Sequence, residues 1–118
     1  MIRKALRRAW RRARRNPPWR VEQVVDAGDL IPDHIDRGTA VLVSPAGRPR
    51  WIAFDCACGT GHRIMLNLDR TRRPAWSVLS EDPLSVRPSI DSEYRGKRCH
   101  YIVDRGRIRW VADRRDYP

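Results

Sequence analysis

The stretch "CHYIVDRGRIRWV", residues 99–111, sets two runs of aromatic and branched residues either side of Asp104-Arg105-Gly106. Tyr, Ile, Val and Trp suit a pleated, half-buried surface. A short polar turn with glycine between two such runs is the signal of a β-hairpin. Neighbouring residues on a strand face opposite ways, so Cys99 and His100 are expected on opposite faces.

Working outward, the same grammar repeats. "RWIAFD" (50–55) predicts a strand, and "HRIMLNL" (62–68) alternates with Ile64, Leu66 and Leu68 on one side. "TAVLVS" (39–44) is a short β-branched run, "RVEQVV" (20–25) alternates weakly, and "PAWSVLS" (74–80) predicts another strand. "SPAGRP" (44–49) is a turn, while "AGDLIPDHIDRG" (27–38) has no clear period beyond a short helix or strand starting at "DLI". The expected fold is mainly β: a small antiparallel β-meander or sandwich-like domain of six or seven short strands. Trp51, Trp76 and Trp110 sit in strand-like segments and are expected in its core.

Two regions follow from charge. Residues 1–20 hold eight arginines, one lysine and no acid, whereas the other ninety-eight hold sixteen basic and fourteen acidic residues, within a net charge of +11. Basicity therefore belongs to an arm and not to the domain. Ile2, Leu6, Ala9, Trp10 and Ala13 form a thin apolar stripe at helical spacing, ended by Pro17 and Pro18. Residues 1–18 are expected to form a basic amphipathic helix, and residues 19–118 a small zinc-binding β domain. Arg7, Arg8, Arg11, Arg12, Arg14 and Arg15 suit a nucleic acid or an anionic surface, because guanidinium pairs with phosphate. The same helix fits docking of its stripe on the domain with solvated arginines outside.

A chain of 118 residues buries a modest core, which a structural metal would reinforce. No run of about eighteen apolar residues is present for a membrane span, and no apolar segment follows the basic N-terminus as in a secretory signal. Three cysteines are an odd number for a disulfide framework and fit a reduced, cytoplasmic setting.

Two of the three cysteines lie in "FDCACGTGH", residues 54–62. On a strand, Cys56 and Cys58 would face the same way, and Gly59 and Gly61 would then let the backbone turn sharply. Cys99 can add a third thiolate, which suits zinc in a closed four-coordinate site. The fourth ligand is His62 or His100. Alternation at Cys99 sends His100 to the far face and favours His62. The plain alternative is three small buried thiols without a metal.

Taken in order, "FDCACGTGHRIMLNL", "PAW", "RPSI" and "CHYIVDRGRIRW" resemble a family of small bacterial and phage proteins long described as of unknown function. Its pattern is C-x-C-G-C-G, a Trp, P-S-I, a Cys near H-[FY]-x-I, a glycine turn and a final Trp, and the likeness covers roughly residues 50–110. This chain departs at Thr60, where the pattern has a third Cys, and in setting its last Cys directly beside the His. Some members resemble partners of bacterial ubiquitin-like conjugation operons. The resemblance implies a serine peptidase or deconjugase acting on a ubiquitin-like protein or its conjugates. It points at Ser89 and His100 as nucleophile and base. The sequence identifies no third, orienting group; Asp91, Asp104 and Asp55 are candidates. Without it, a metal-stapled binding module with a basic arm is the alternative, and Ser89 after Pro88 is ordinary turn chemistry.

The charge division is open to test. Removing residues 1–18 is expected to leave the β domain folded while abolishing most binding to heparin. A truncated chain that melts far lower would make the apolar stripe part of the core.

Overall fold

The computed structural model describes residues 17–112. The basic arm, with Arg7, Arg8, Arg11, Arg12, Arg14 and Arg15, lies outside the described residues, apart from Pro17 and Pro18. Eight strands form two four-stranded sheets in chain order. The first holds β1 (Arg20–Val25), β2 (Thr39–Val43), β3 (Trp51–Asp55) and β4 (Arg63–Asn67); the second holds β5 (Ser77–Glu81), β6 (Leu84–Tyr94), β7 (Lys97–Asp104) and β8 (Arg107–Trp110).

The β7–β8 turn takes φ of +49° at Arg105 and +78° at Gly106, and the β6–β7 turn takes +52° at Arg95 and +79° at Gly96. Positive φ at both central residues is the type I′ geometry, whose twist matches that of the strands it joins. Alternation along β7 is regular. Cys99, Tyr101 and Val103 are buried while His100, Ile102 and Asp104 are half-exposed.

The core lies between the sheets. Ile52, Phe54, Ile64 and Leu66 of the first sheet meet Leu84, Val86, Ile90, Tyr101 and Val103 of the second. Trp19 closes one end, its ring edge-on to Phe54 at 5.8 Å. A second, smaller cluster lies on the other face of the first sheet, where Ile35 packs on Val25, Val41, Val43 and Ala53. The segment between β1 and β2 makes this cover, and Arg63 ties it down by donating to the carbonyls of Pro32 (3.0 Å) and Asp33 (2.7 Å). All five residues of β2 are therefore buried, which explains its unbroken apolar run.

Several expectations change. β1 pairs with β2 in parallel, so the chain is not a pure antiparallel meander; the thirteen-residue connection that covers the sheet is long enough for a parallel crossover. The "DLI" segment falls at a short 3-10 turn, Gly28–Leu30. The longest strand, β6, was not expected at all. Trp51 and Trp76 are partly buried against the two clusters, but Trp110 is 57% exposed. It sits on an edge strand of its sheet, with its ring against that of Tyr101 at 5.2 Å.

The sheets are linked by residues 68–76, which wrap around one side chain. Buried Asn67 donates to the carbonyls of Asp69, Arg72 and Pro74, and its Oδ1 accepts from the Asp69 N–H and from Arg50. Every polar atom of that amide has a partner, as burial demands.

Gly106 is the tightest point. Its N–H donates to the Leu84 carbonyl at 2.7 Å, and its own carbonyl accepts from Trp19 at 2.8 Å. A Cβ there would stand 2.5 Å from that of Pro18 and 3.0 Å from that of Pro83. A truncation that keeps this contact stops at residue 16. Gly106→Ala is expected to cost both the positive-φ strain, about 1–2 kcal/mol, and an overpacking penalty of about 1–3 kcal/mol. Gly96→Ala meets nothing within 4 Å and should cost the strain alone. Urea melts of the two variants check the difference.

Candidate active site and thiol cluster

β6 carries a bulge that shapes the site. Val86 pairs with Val103 and Ile90 with Tyr101, so four steps along β6 match two along β7. Arg87, Pro88 and Ser89 bulge out opposite Ile102. Bulges bend a strand and re-aim its side chains. Here side chains brace the break on both sides. Arg87 donates to the carbonyls of Val86 (3.0 Å) and Val103 (3.2 Å) and to Asp104 Oδ1 (2.8 Å). From the β5 side, the Trp76 indole N–H donates to the Ser89 carbonyl at 3.2 Å.

The bulge turns the Ser89 side chain to the outer face of the second sheet. Its Oγ lies 2.9 Å from His100 Nε2. Both residues are half-exposed, while Ile90 between Ser89 and Asp91 is buried in the core. A hydroxyl within hydrogen-bond reach of an imidazole nitrogen at an open surface is the geometry that nucleophilic catalysis requires. Asp91 stands opposite His100 in register, and both of its carboxylate oxygens accept from Arg98, at 2.9 and 2.6 Å. Asp104 is held by Arg87 and Arg109. The Arg87 hydrogen bond first, then nearby guanidinium charge, holds its carboxyl below the usual carboxylate range. Asp55 pairs with Arg63 at 3.4 Å. All three candidate carboxylates thus serve arginines.

On the inner face of the same strand the sulfurs gather. The Sγ atoms of Cys56, Cys58 and Cys99 all lie within 4.8 Å of one another. Cys56 and Cys99 are buried and Cys58 is half-buried. The strand expected beneath Cys56 and Cys58 ends instead at Asp55. Cys56 donates its N–H to the His62 carbonyl (2.9 Å) and accepts from Gly59 N–H (3.2 Å), so the two cysteines converge through a turn and not through strand alternation. Gly59 and Gly61 take φ of +79° and +84° there. His62 touches the cluster at its edge. Its Nδ1 is 3.5 Å from Cys58 Sγ and 3.0 Å from Thr60 Oγ1, its Nε2 is 3.5 Å from Ser92 Oγ, and its ring stacks on Tyr94 at 4.5 Å.

The sulfurs do not titrate alike. Burial pushes the Cys99 thiol up to about 12, helped by its contact with Cys58. Burial also acts on Cys58, but hydrogen bonds from the Thr60 hydroxyl and backbone, and from Cys56 and Cys99, outweigh it and bring that thiol down to about 7. A dication among the three sulfurs would favour all of them as thiolates, since a coordinating thiol is deprotonated. The donor set fits such an ion. Three sulfurs within 4.8 Å of one another are the ligands such a site would use.

Four further residues serve these two centres: Trp76, Arg87, Ser92 and Tyr101. Tyr101 Oη accepts the Ala57 N–H and lies against Cys56 Sγ, both at 3.3 Å. Burial first, then its contact with Cys56, holds its phenol well above the ordinary value. The only sequence signal for Tyr101 was its place two residues beyond Cys99 on one strand face. Tyr101→Phe is expected to leave a buried N–H without an acceptor and to cost about 1–3 kcal/mol, measured by urea unfolding of the full chain.

No curated protein and no solved structure matches this chain. A family described as bacterial ubiquitination-like system serine protease (BubE) matches residues 27–111. The match runs from the segment covering the first sheet to the residue after β8, and it spans the bulge, His100 and all three cysteines. The chain belongs to the BubE family of bacterial ubiquitination-like system serine proteases.

Proposed function

We propose that Ser89 and His100 are the nucleophile and general base of a peptidase acting on a ubiquitin-like protein or its conjugates. The observation that carries this is the 2.9 Å approach of Ser89 Oγ to His100 Nε2 at a braced, half-exposed bulge. The family description supplies the reaction class and the ubiquitination-like setting. In the first step His100 Nε2 takes the hydroxyl proton as Ser89 Oγ bonds to the scissile carbonyl carbon. The imidazolium then returns that proton to the leaving amine as the C–N bond breaks. Water, deprotonated by the same nitrogen, then bonds to the acyl carbon, and the imidazolium returns that proton to Ser89 Oγ as the C–O bond breaks. Nε2 must start unprotonated, so the proton of the neutral ring sits on Nδ1.

We propose further that Cys56, Cys58, Cys99 and His62 hold one zinc ion. His62 touches the cluster, 3.5 Å from Cys58, whereas His100 is engaged with Ser89 on the other face. A closed site of this composition is structural. It would pin the β3–β4 turn to β7, directly behind His100.

Two measurements test this. Turnover of an activated p-nitrophenyl ester should fall on the order of a thousandfold in Ser89→Ala and in His100→Ala. The double variant should be no worse than either, because residues acting as one unit are not additive. Equal turnover in wild type and Ser89→Ala would overturn the assignment and favour a binding module. Elemental analysis of chain purified without chelator should find about one zinc per chain, and chelation should unfold the domain. Less than about a tenth of an equivalent of any metal would leave three buried thiols.

A further inference from the structure

β5 is the edge strand of the second sheet, and its Leu79 is 63% exposed. Beside it runs a groove of about 420 Å³ floored by Leu42, Leu68, Trp76 and Val78, with Leu79 on its lip. The groove continues into a second trough of about 430 Å³ that shares Pro49, Leu68 and Arg70 and adds Arg48 and Arg50. Leu79 lies at an irregularity in the β5–β6 register, and its apolar side chain stands exposed beside the groove.

Two features say what the groove takes. The first is continuity with the reacting centre. Trp76 forms part of the groove floor and also donates its indole N–H to the carbonyl of Ser89 at 3.2 Å. Trp76 therefore links the groove to the backbone of the residue that carries the nucleophile. The second is charge. Arg70 and Arg48 are exposed at one end, and Arg70 reaches back to Ser77 Oγ on β5 at 3.1 Å. Arg50 is already engaged with Asn67 and lies over the Trp51 ring. The acids do not balance that end. Asp69 Oδ1 accepts from the Thr71 hydroxyl (2.7 Å) and N–H (3.0 Å), and Glu81 lies at the other end of β5.

We infer that this groove binds a stretch of the substrate polypeptide flanking the scissile bond, laid as an added strand along β5. An apolar side chain sits over Trp76 and Leu79, and an acidic side chain points to Arg70 and Arg48. Edge-strand addition supplies affinity through main-chain hydrogen bonds, and pockets for alternate side chains supply selectivity. The inference rests on Ser89 as the nucleophile and adds the sequence preference of its substrate.

The test uses the full chain carrying Ser89→Ala and two fluorescein-labelled octapeptides that alternate glycine with Leu and Asp, or with Leu and Lys. Anisotropy at low salt should show the Leu/Asp peptide binding about tenfold tighter than its Leu/Lys counterpart. Adding Arg70→Glu should reverse that order. Leu79→Asp, or Leu79→Ser if the first variant does not fold, should weaken the Leu/Asp peptide about tenfold. Lys97→Glu, at the distant β6–β7 turn, should change affinity less than about twofold. Equal binding of the two peptides, or unchanged binding in folded Arg70→Glu and Leu79 variants, would overturn the inference. Ester turnover by the wild-type chain reports on Ser89 alone. Selective peptide binding without turnover would remove the catalytic assignment and keep the groove, and turnover without selective binding would do the reverse.

Discussion

The register slip between β6 and β7 is the constraint on which the rest depends. If β6 ran regularly from Leu84 to Tyr94, no segment would bulge opposite Ile102. Because four residues span the distance of two, Pro88 and Ser89 stand out from the ladder and backbone carbonyls near the break need new partners. Arg87, from β6 itself and reaching across to β7, and Trp76, from the β5 side, provide them. The result is a serine presented by a rigid sheet and not by a loop, and sites built on such elements are held with more precision.

The same strand pairing separates stability from chemistry. Ser92 faces Cys99 and Asp91 faces His100 in register, so one face carries the sulfur cluster and the other the hydroxyl–imidazole pair. Tyr101, next on the inner face, holds the cysteine turn through Ala57. Anything that tightens the cluster fixes β7 at Cys99, and Cys99 fixes the backbone that aims His100. A domain this small has little other core at that end: Tyr94 and Trp110 there are half-buried and exposed.

Much of this was legible in the residues. Alternation in "CHYIV" separated Cys99 from His100, and the Asp-Arg-Gly turn gave the last hairpin. The glycines after Cys58 marked the turn that gathers the sulfurs, although the strand before it ends at Asp55, three residues short of Cys58. β6 was hidden by Pro83 and Pro88, because proline argues against an interior strand, and only a bulge reconciles it with one. The parallel pairing of β1 was hidden because strand direction leaves no mark on composition. The placement of Trp110 failed because an aromatic at the end of an edge strand has the same sequence signature as one in the core. Trp76 and Arg87 act on Ser89 through backbone carbonyls, and contacts of that kind leave no motif.

The central claim, that the bulge presents Ser89 as a nucleophile activated by His100, is tested most directly by mapping a covalent adduct. The full chain is treated with a fluorophosphonate and digested, and the modified peptide is identified by mass spectrometry. The account predicts one adduct, on Ser89, that disappears in His100→Gln while the fold persists. No adduct, or one carried by Ser77, Ser92 or another serine, would contradict it.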